Sequence, residues 1–201
     1  MEILSIKLKS KRNPNVFVCD TDSGEFELHS DIIVKNNLSV GLVDDNLFYV
    51  SVQESAEIIA FNLCVKYISS RVKTEKQIKD YLYKKEYKTD IVNAVIKKLK
   101  EYNIINDEMF AESYIKSNTN YSKNKIKQKL YSFGVKSGSV DILTEEVDDY
   151  ASCLNNAKKY MKNKIYSKEV VDKLIRRLQG MGYNWDAIKH ALNELKCELE
   201  D

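Results

Sequence analysis

The residues with the clearest capacity for chemistry in this sequence are its lysines. Between Lys116 and Lys136 stand Lys116, Lys123, Lys125, Lys127, Lys129 and Lys136, with no acidic side chain among them and with Tyr121, Tyr131 and Phe133 interleaved. Cations at this density suit phosphates or an acidic protein groove, and interleaved aromatics can stack on unpaired bases. At about 100° per residue, Ile126, Leu130 and Phe133 fall on one buried stripe of a helix. Lys123 and Lys127 then flank one side of the stripe, and Lys125 and Lys129 the other. Two more basic groups follow: Lys158, Lys159 and Lys162, then Lys173, Arg176 and Arg177. These ten residues are the candidate filament- or nucleic-acid-binding set. The plainer alternative for each is a solvated ammonium whose stem covers apolar surface.

Other chemistries find no support. There is no Gly-rich phosphate loop, no G-x-S-x-G and no H-E-x-x-H, so no catalytic residue is assigned and an enzyme is not expected. The two histidines, His29 and His190, have no cysteine at ligand spacing, so no metal or other cofactor is expected. The acidic cluster of Asp141, Glu145, Glu146, Asp148 and Asp149 reads as a solvated helix end and not as a cation site. Cys19, Cys64, Cys153 and Cys197 form no C-x-x-C pair and read as reduced thiols in packing positions of a cytoplasmic protein. No apolar run reaches the roughly 18 residues of a membrane span, and the N-terminus lacks the order of a signal peptide.

Helices must position this charge. In 201 residues there are only one proline and six glycines, which favours long helices over strands and turns. Three amphipathic runs open on a hydroxyl residue suited to an N-cap: Thr74–Tyr87, Ser122–Val135 and Ser167–Tyr183. Leu82, Leu130 and Leu178 are 48 residues apart in both steps, and other apolar positions fall into the same register. Ile78, Ile126 and Leu174 align, as do Tyr87, Val135 and Tyr183. In the helix that follows each run, three further columns align: Val92, Val140 and Ile188; Val95, Leu143 and Ala191; Leu99, Val147 and Leu195. Their steps of three and four residues mark one buried face. In the third copy the cap lies three residues further from its leucine, close to one extra turn.

A preceding helix in each copy, at about 53–71, 107–119 and 149–164, completes the unit. The fold class expected is mainly α: three tandem three-helix repeats in an extended, curved array. The copies would occupy 53–105, 106–148 and 149–201, after a small antiparallel β-rich N-terminal module at 1–52. That module has strand-like runs around Ile3–Leu8, Val16–Val18, Phe26–Leu28 and Leu47–Val50, with turns at Asn13-Pro14-Asn15 and Asp22-Ser23-Gly24. A short helix over 31–37 would be capped by Ser30 or Asp31. Residues 1–55 carry 5 basic and 9 acidic side chains, so the module is acidic although the whole chain is +2. Shifting by 48 places Lys125 on Lys173 and Lys129 on Arg177, but Gln77 and Tyr81 in the first copy. Units two and three are thus the basic pair.

The segment Ile104-Ile105-Asn106-Asp107-Glu108-Met109-Phe110-Ala111-Glu112-Ser113-Tyr114 closely resembles the central signature of the RecX family, regulators of the RecA recombinase. There Asn106 or Asp107 would cap a helix whose buried face starts with Phe110, Ala111 and Tyr114. The run Lys173–Tyr183 looks like the family's basic helix ending in a glycine–aromatic turn, here Gly182-Tyr183. The first unit, Ile78–Leu82 with Lys84-Lys85-Glu86-Tyr87, is a looser match. Met181 stands where members often carry arginine, which puts in doubt any ligand contact inherited through that position.

The resemblance covers about residues 56–199. It implies a protein, expected as a monomer, that binds the RecA filament on single-stranded DNA and inhibits or disassembles it. That role belongs to homologous recombination, DNA repair and the SOS response. Single- and possibly double-stranded DNA are implied as further partners, and a membrane is not. On the residues alone, a stand-alone nucleic-acid-binding helical repeat and a helical adaptor for another protein stay open.

Overall fold

The computed structural model describes residues 1–200, with side chains to Lys196; Cys197 lies outside the described side chains. Two compact units divide the chain, Met1–Asn106 and the part from Asp107 onward.

The first unit opens with an antiparallel sheet of four strands in the order β3-β2-β1-β4. β1 (Glu2–Ser10) and β2 (Asn13–Thr21) form a hairpin, β3 (Gly24–His29) pairs with β2, and β4 (Gly41–Leu42) pairs with β1. The first hairpin turns at Lys11-Arg12 and not at Asn13-Pro14-Asn15, which begins β2. Proline is tolerated at a strand start, where the ladder does not yet need its missing N–H. A short helix α1 (Ser30–Lys35) follows, capped by neither Ser30 nor Asp31. The cap is His29, whose Nδ1 accepts the Asp31 N–H at 3.3 Å.

The fourth strand expected, Leu47–Val50, is instead the first turn of α2 (Asp45–Ile68), so position 52 falls inside a helix of 24 residues. The Asp44 carboxylate caps it by accepting the Leu47 N–H at 2.9 Å. The burial period is helical: Phe48, Ser51 and Ser55 are fully buried, while Leu47, Tyr49 and Val50 are exposed. A four-residue apolar run cannot reveal which period it obeys until its neighbours are placed. The first turns of α2 send Phe48 and Val52 into the sheet core with Ile3, Cys19, Leu28 and Leu38. Its last turns send Ala60, Cys64 and Ile68 into a second core, built with α3 (Glu75–Lys84) and α4 (Thr89–Glu101).

The second unit holds α5 (Asp107–Ser117), α6 (Lys123–Ser132) and α7 (Ser137–Leu143), then α8 (Asp149–Met161), α9 (Lys168–Gly180) and α10 (Trp185–Glu200). Each triplet has its own core, around Ala111, Ile126, Leu130, Val135 and Val140 in one and Cys153, Leu174, Leu178, Ile188 and Ala191 in the other. The cap chemistry matches the sequence reading. Thr74, Ser122 and Ser167 each accept the N–H three residues on, and Gln77 returns a bond to the Thr74 N–H at 3.1 Å. α9 has 13 residues where α3 and α6 have 10, the extra turn that the displaced Ser167 requires.

The register extends to the helix ends. Glu86, Gly134 and Gly182, again 48 apart, all have left-handed φ of 64°, 87° and 89°. The N–H of Tyr87, Val135 and Tyr183 returns to the carbonyl of Leu82, Leu130 and Leu178, closing the same C-terminal motif three times. One column shifts: α7 stops at Leu143, so Val147 lies past its helix, half-buried. Thr144 ends α7 by turning its hydroxyl back to the Val140 carbonyl at 2.7 Å. The acidic residues that follow are ill-suited to a helix C-terminus.

A candidate cationic interface

The signature residues sit in packing positions. Ala111 is fully buried, and Phe110 and Tyr114 meet the Phe133 ring edge-on, each at 5.5 Å. Asn106 and Asp107 flank the start of α5. The turn after α9 does something the sequence did not signal: it docks on the N-terminus of α6. Ser122 N–H donates to the Met181 carbonyl at 3.1 Å, and Lys125 Nζ to the Gly180 carbonyl at 2.5 Å. The Tyr183 hydroxyl donates to the Asn120 carbonyl at 3.2 Å and accepts from Asn156 Nδ2 at 3.0 Å. Burial pushes the Tyr183 phenol up to about 12. Close approach requires Gly182: a Cβ there would lie 2.7 Å from Ser122 Oγ and 2.9 Å from Lys125 Cβ. The Lys123 N–H adds a bond to the Asp149 carboxylate at 2.7 Å. A polar seam therefore joins the second and third triplets.

This seam and its surroundings occupy three of the candidate cations. Lys125 is tied to Gly180 and lies 5.5 Å from the Tyr121 ring centroid. Lys123 Nζ donates to the Glu145 carbonyl at 3.0 Å. Lys127 pairs with Asp141 at 2.5 Å, which holds the Asp141 carboxyl below its ordinary range and raises the lysine. The acidic cluster is likewise engaged, since Asp148 caps α8 by accepting from the Tyr150 and Ala151 N–H groups. Among the described residues no group of three histidine, cysteine or acidic side chains is placed to hold a metal ion.

The other cations are presented outward. Lys129, Lys159, Lys162, Lys173 and Arg176 are exposed and, among the described residues, make no ion pair. Lys158 is exposed as well. Arg177 lies over the Tyr160 ring at 5.9 Å, with Lys164 on the same ring at 3.0 Å. Lys158, Lys159, Lys162 and Lys164 rim an open cavity of about 440 Å³ floored by Met161, Tyr166 and Leu195. Lys164 is a member of this group that sequence reasoning missed, although its i+4 spacing from Tyr160 was available. Lys129 is the exposed candidate on α6. The ten candidates thus divide into three that hold the fold together, one exposed on α6, and six on α8, α9 and the turn after α8. The physical offer of that last group is a basic surface with half-buried aromatic and thioether floors, suited to anionic polymers.

Two thiols are sealed rather than reactive: burial pushes Cys64 up to about 12 and Cys153 up to about 11. Among the described residues no helix is long and apolar enough to cross a membrane.

Known proteins resemble this chain along nearly all of it. A family profile described as RecX, first three-helix domain, matches residues 60–99. A regulatory protein RecX from Clostridium perfringens (strain SM101 / Type A) is 31% identical, over 96% of this chain and 96% of its own length. One from Streptococcus uberis is 30% identical, over 96% of this chain and 78% of its own length. Among solved structures, a crystal structure of regulatory protein RecX superimposes with a TM-score of 0.65 at 17% identity, covering 96% of this chain and 98% of that one. The RecX of Lactobacillus salivarius gives 0.59 at 21% identity, over 71% of this chain and 97% of its own. At those identities the two structures speak to the fold alone.

Proposed function

The chain belongs to the RecX family of regulatory proteins, and from that premise we propose that it binds the filament a RecA recombinase forms on single-stranded DNA and lowers its activity, by inhibition or disassembly. The process served is recombination and DNA repair under the SOS response, in the cytoplasm. The observation that supports this reading is the set of outward-facing cations on α8, α9 and the turn after α8, Lys159, Lys162, Lys173, Arg176 and Arg177, with Lys129 on α6. Helices that spend Lys123, Lys125 and Lys127 on internal bonds and leave these six exposed have charge to give a polyanionic partner. Cations of this kind suit either phosphates or an acidic protein groove on such a filament, so the same residues serve whichever of the two they touch.

The test is a quadruple charge reversal, Lys129→Glu, Lys173→Glu, Arg176→Glu and Arg177→Glu, checked for native circular dichroism. Wild type should slow DNA-stimulated ATP hydrolysis by preformed RecA filaments, and should bind them well above naked DNA. The variant should lose at least tenfold in filament affinity. If the cations meet phosphates of a single strand, the log–log salt dependence should flatten by about 3, some 0.7 per contact for four contacts. Unchanged affinity in a folded variant refutes the assignment of these residues. No effect of wild type on the filament, even in molar excess, refutes the function.

A further inference from the structure

A second site of different character lies in the first unit, between the first hairpin and α2. A cavity of about 300 Å³ is lined by Arg12, Asn15, His29, Asn62 and Lys66, with Val16, Ile59 and Leu63 supplying its apolar wall. That is the low end of the volumes that hold small ligands. His29 is 3% exposed. Its Nδ1 accepts the Asp31 N–H, so a neutral ring carries its proton on Nε2. That Nε2 is buried and has no hydrogen-bond partner, the kind of orphan that interiors rarely leave. Arg12 and Lys66 are exposed at the rim, and among the described residues neither is paired with a carboxylate. Asp31, the acid nearest the ring, approaches Nδ1 at 3.6 Å, on the nitrogen turned to the helix.

The cavity's lining thus includes a histidine with an unsatisfied N–H, two cations without a carboxylate partner and two side-chain amides able to donate, around a volume of small-ligand size. We propose that this cavity binds a small oxyanion, a phosphate or a carboxylate, with His29 Nε2–H as its buried donor and Arg12 and Lys66 as its counter-charges. Occupation would tie the first hairpin to α2, so the ligand would be an effector of the N-terminal module, independent of the α8–α9 surface.

The test follows the His29 imidazole in long-range ¹H–¹⁵N spectra of the full chain. Sodium phosphate, sodium citrate and sodium chloride are titrated separately at matched ionic strength. Phosphate or citrate, or both, should shift the Nε2 resonance saturably while chloride does not, and the responding salt tells which oxyanion source is preferred. The double variant Arg12→Ala and Lys66→Ala, both on the surface and safe for folding, should weaken that response at least tenfold. By calorimetric titration with the responding salt, His29→Gln, which keeps a donor, should retain more binding than His29→Phe. No saturable shift with either oxyanion, an equal shift with chloride, or an unchanged response in the double variant overturns the proposal.

Discussion

Replacing Gly182 by alanine should be among the most damaging small changes in the second unit. The residue holds φ at 89°, a conformation that costs an L-residue about 1–2 kcal/mol. The added methyl would sit 2.7 Å from Ser122 Oγ, 2.9 Å from Lys125 Cβ and 3.2 Å from Lys125 Cδ. Neither of the two nearest atoms can retreat freely. Ser122 Oγ is held as the cap of α6 by the Lys125 N–H at 3.2 Å, and Lys125 Cβ is fixed to the helix backbone. Overpacking of this kind costs about 1–3 kcal/mol. Against it stands a gain of about 0.4–1 kcal/mol from a less flexible unfolded chain. The net loss should be about 2–4 kcal/mol, with the bonds to Gly180 and Met181 strained together.

Urea unfolding followed by Trp185 reads this out cleanly, because that residue is the only tryptophan and begins α10 of the same unit. With a slope of about 1–2 kcal/mol/M, the midpoint should fall by about 1–4 M. Gly180→Ala is the control: it ends α9, and a Cβ there meets nothing within 4 Å. It should be neutral or stabilising by up to about 1 kcal/mol. A loss under about 0.5 kcal/mol for Gly182→Ala, or equal effects at the two glycines, would refute the docking argument.

Glu86 occupies the same motif position as Gly134 and Gly182 but pays for a left-handed φ of 64°. Glu86→Gly should therefore stabilise the first unit by about 0.5–1 kcal/mol in thermal or urea unfolding, whereas Glu86→Ala should give no gain. A stability no higher than wild type for the glycine variant would contradict this. Alkaline pH should destabilise the protein. The buried groups Cys64, Cys153 and Tyr183 are raised in the folded state to about 12, 11 and 12, from ordinary values of 9.0, 9.0 and 10.0. The native state thus holds protons that the unfolded chain has released, so stability is full below about pH 9 and declines as pH climbs from there toward 12. Unfolding midpoints should hold from pH 8 to about 9 and fall progressively from there to pH 11, and Cys64→Ala with Cys153→Ala should flatten the decline; a flat wild-type profile would refute it.

How much was legible follows from the range of each interaction. Caps at Thr74, Ser122 and Ser167, and the apolar columns through Leu82, Leu130 and Leu178, are set by neighbours within a turn or two, and their residue types announce them. The first turn of α2 was misread because Leu47–Val50 carries strand-forming residues while its burial is decided by contact with the sheet. His29 as a cap was hidden by its rarity in that role. Which lysines are free was not legible at all. Lys123 meets Glu145 and Lys125 meets Gly180 across 22 and 55 residues, through contacts that no local pattern encodes.

The seam between the second and third triplets also bears on how such a sequence can drift. Three of its acceptors, the carbonyls of Asn120, Gly180 and Met181, belong to the main chain, which every amino acid supplies alike. The burden of identity then rests on few letters: the small hydroxyl of Ser122, the ammonium of Lys125, the carboxylate of Asp149, the amide of Asn156, the bare Gly182 and the phenol of Tyr183. Position 181 contributes its carbonyl to the seam and its half-buried stem to the third core, and an arginine has such a stem too. A methionine-for-arginine exchange there can accumulate without undocking the repeats. Stacking of this kind survives wide divergence, and the exposed basic faces are left free to be retuned by selection for whatever they touch.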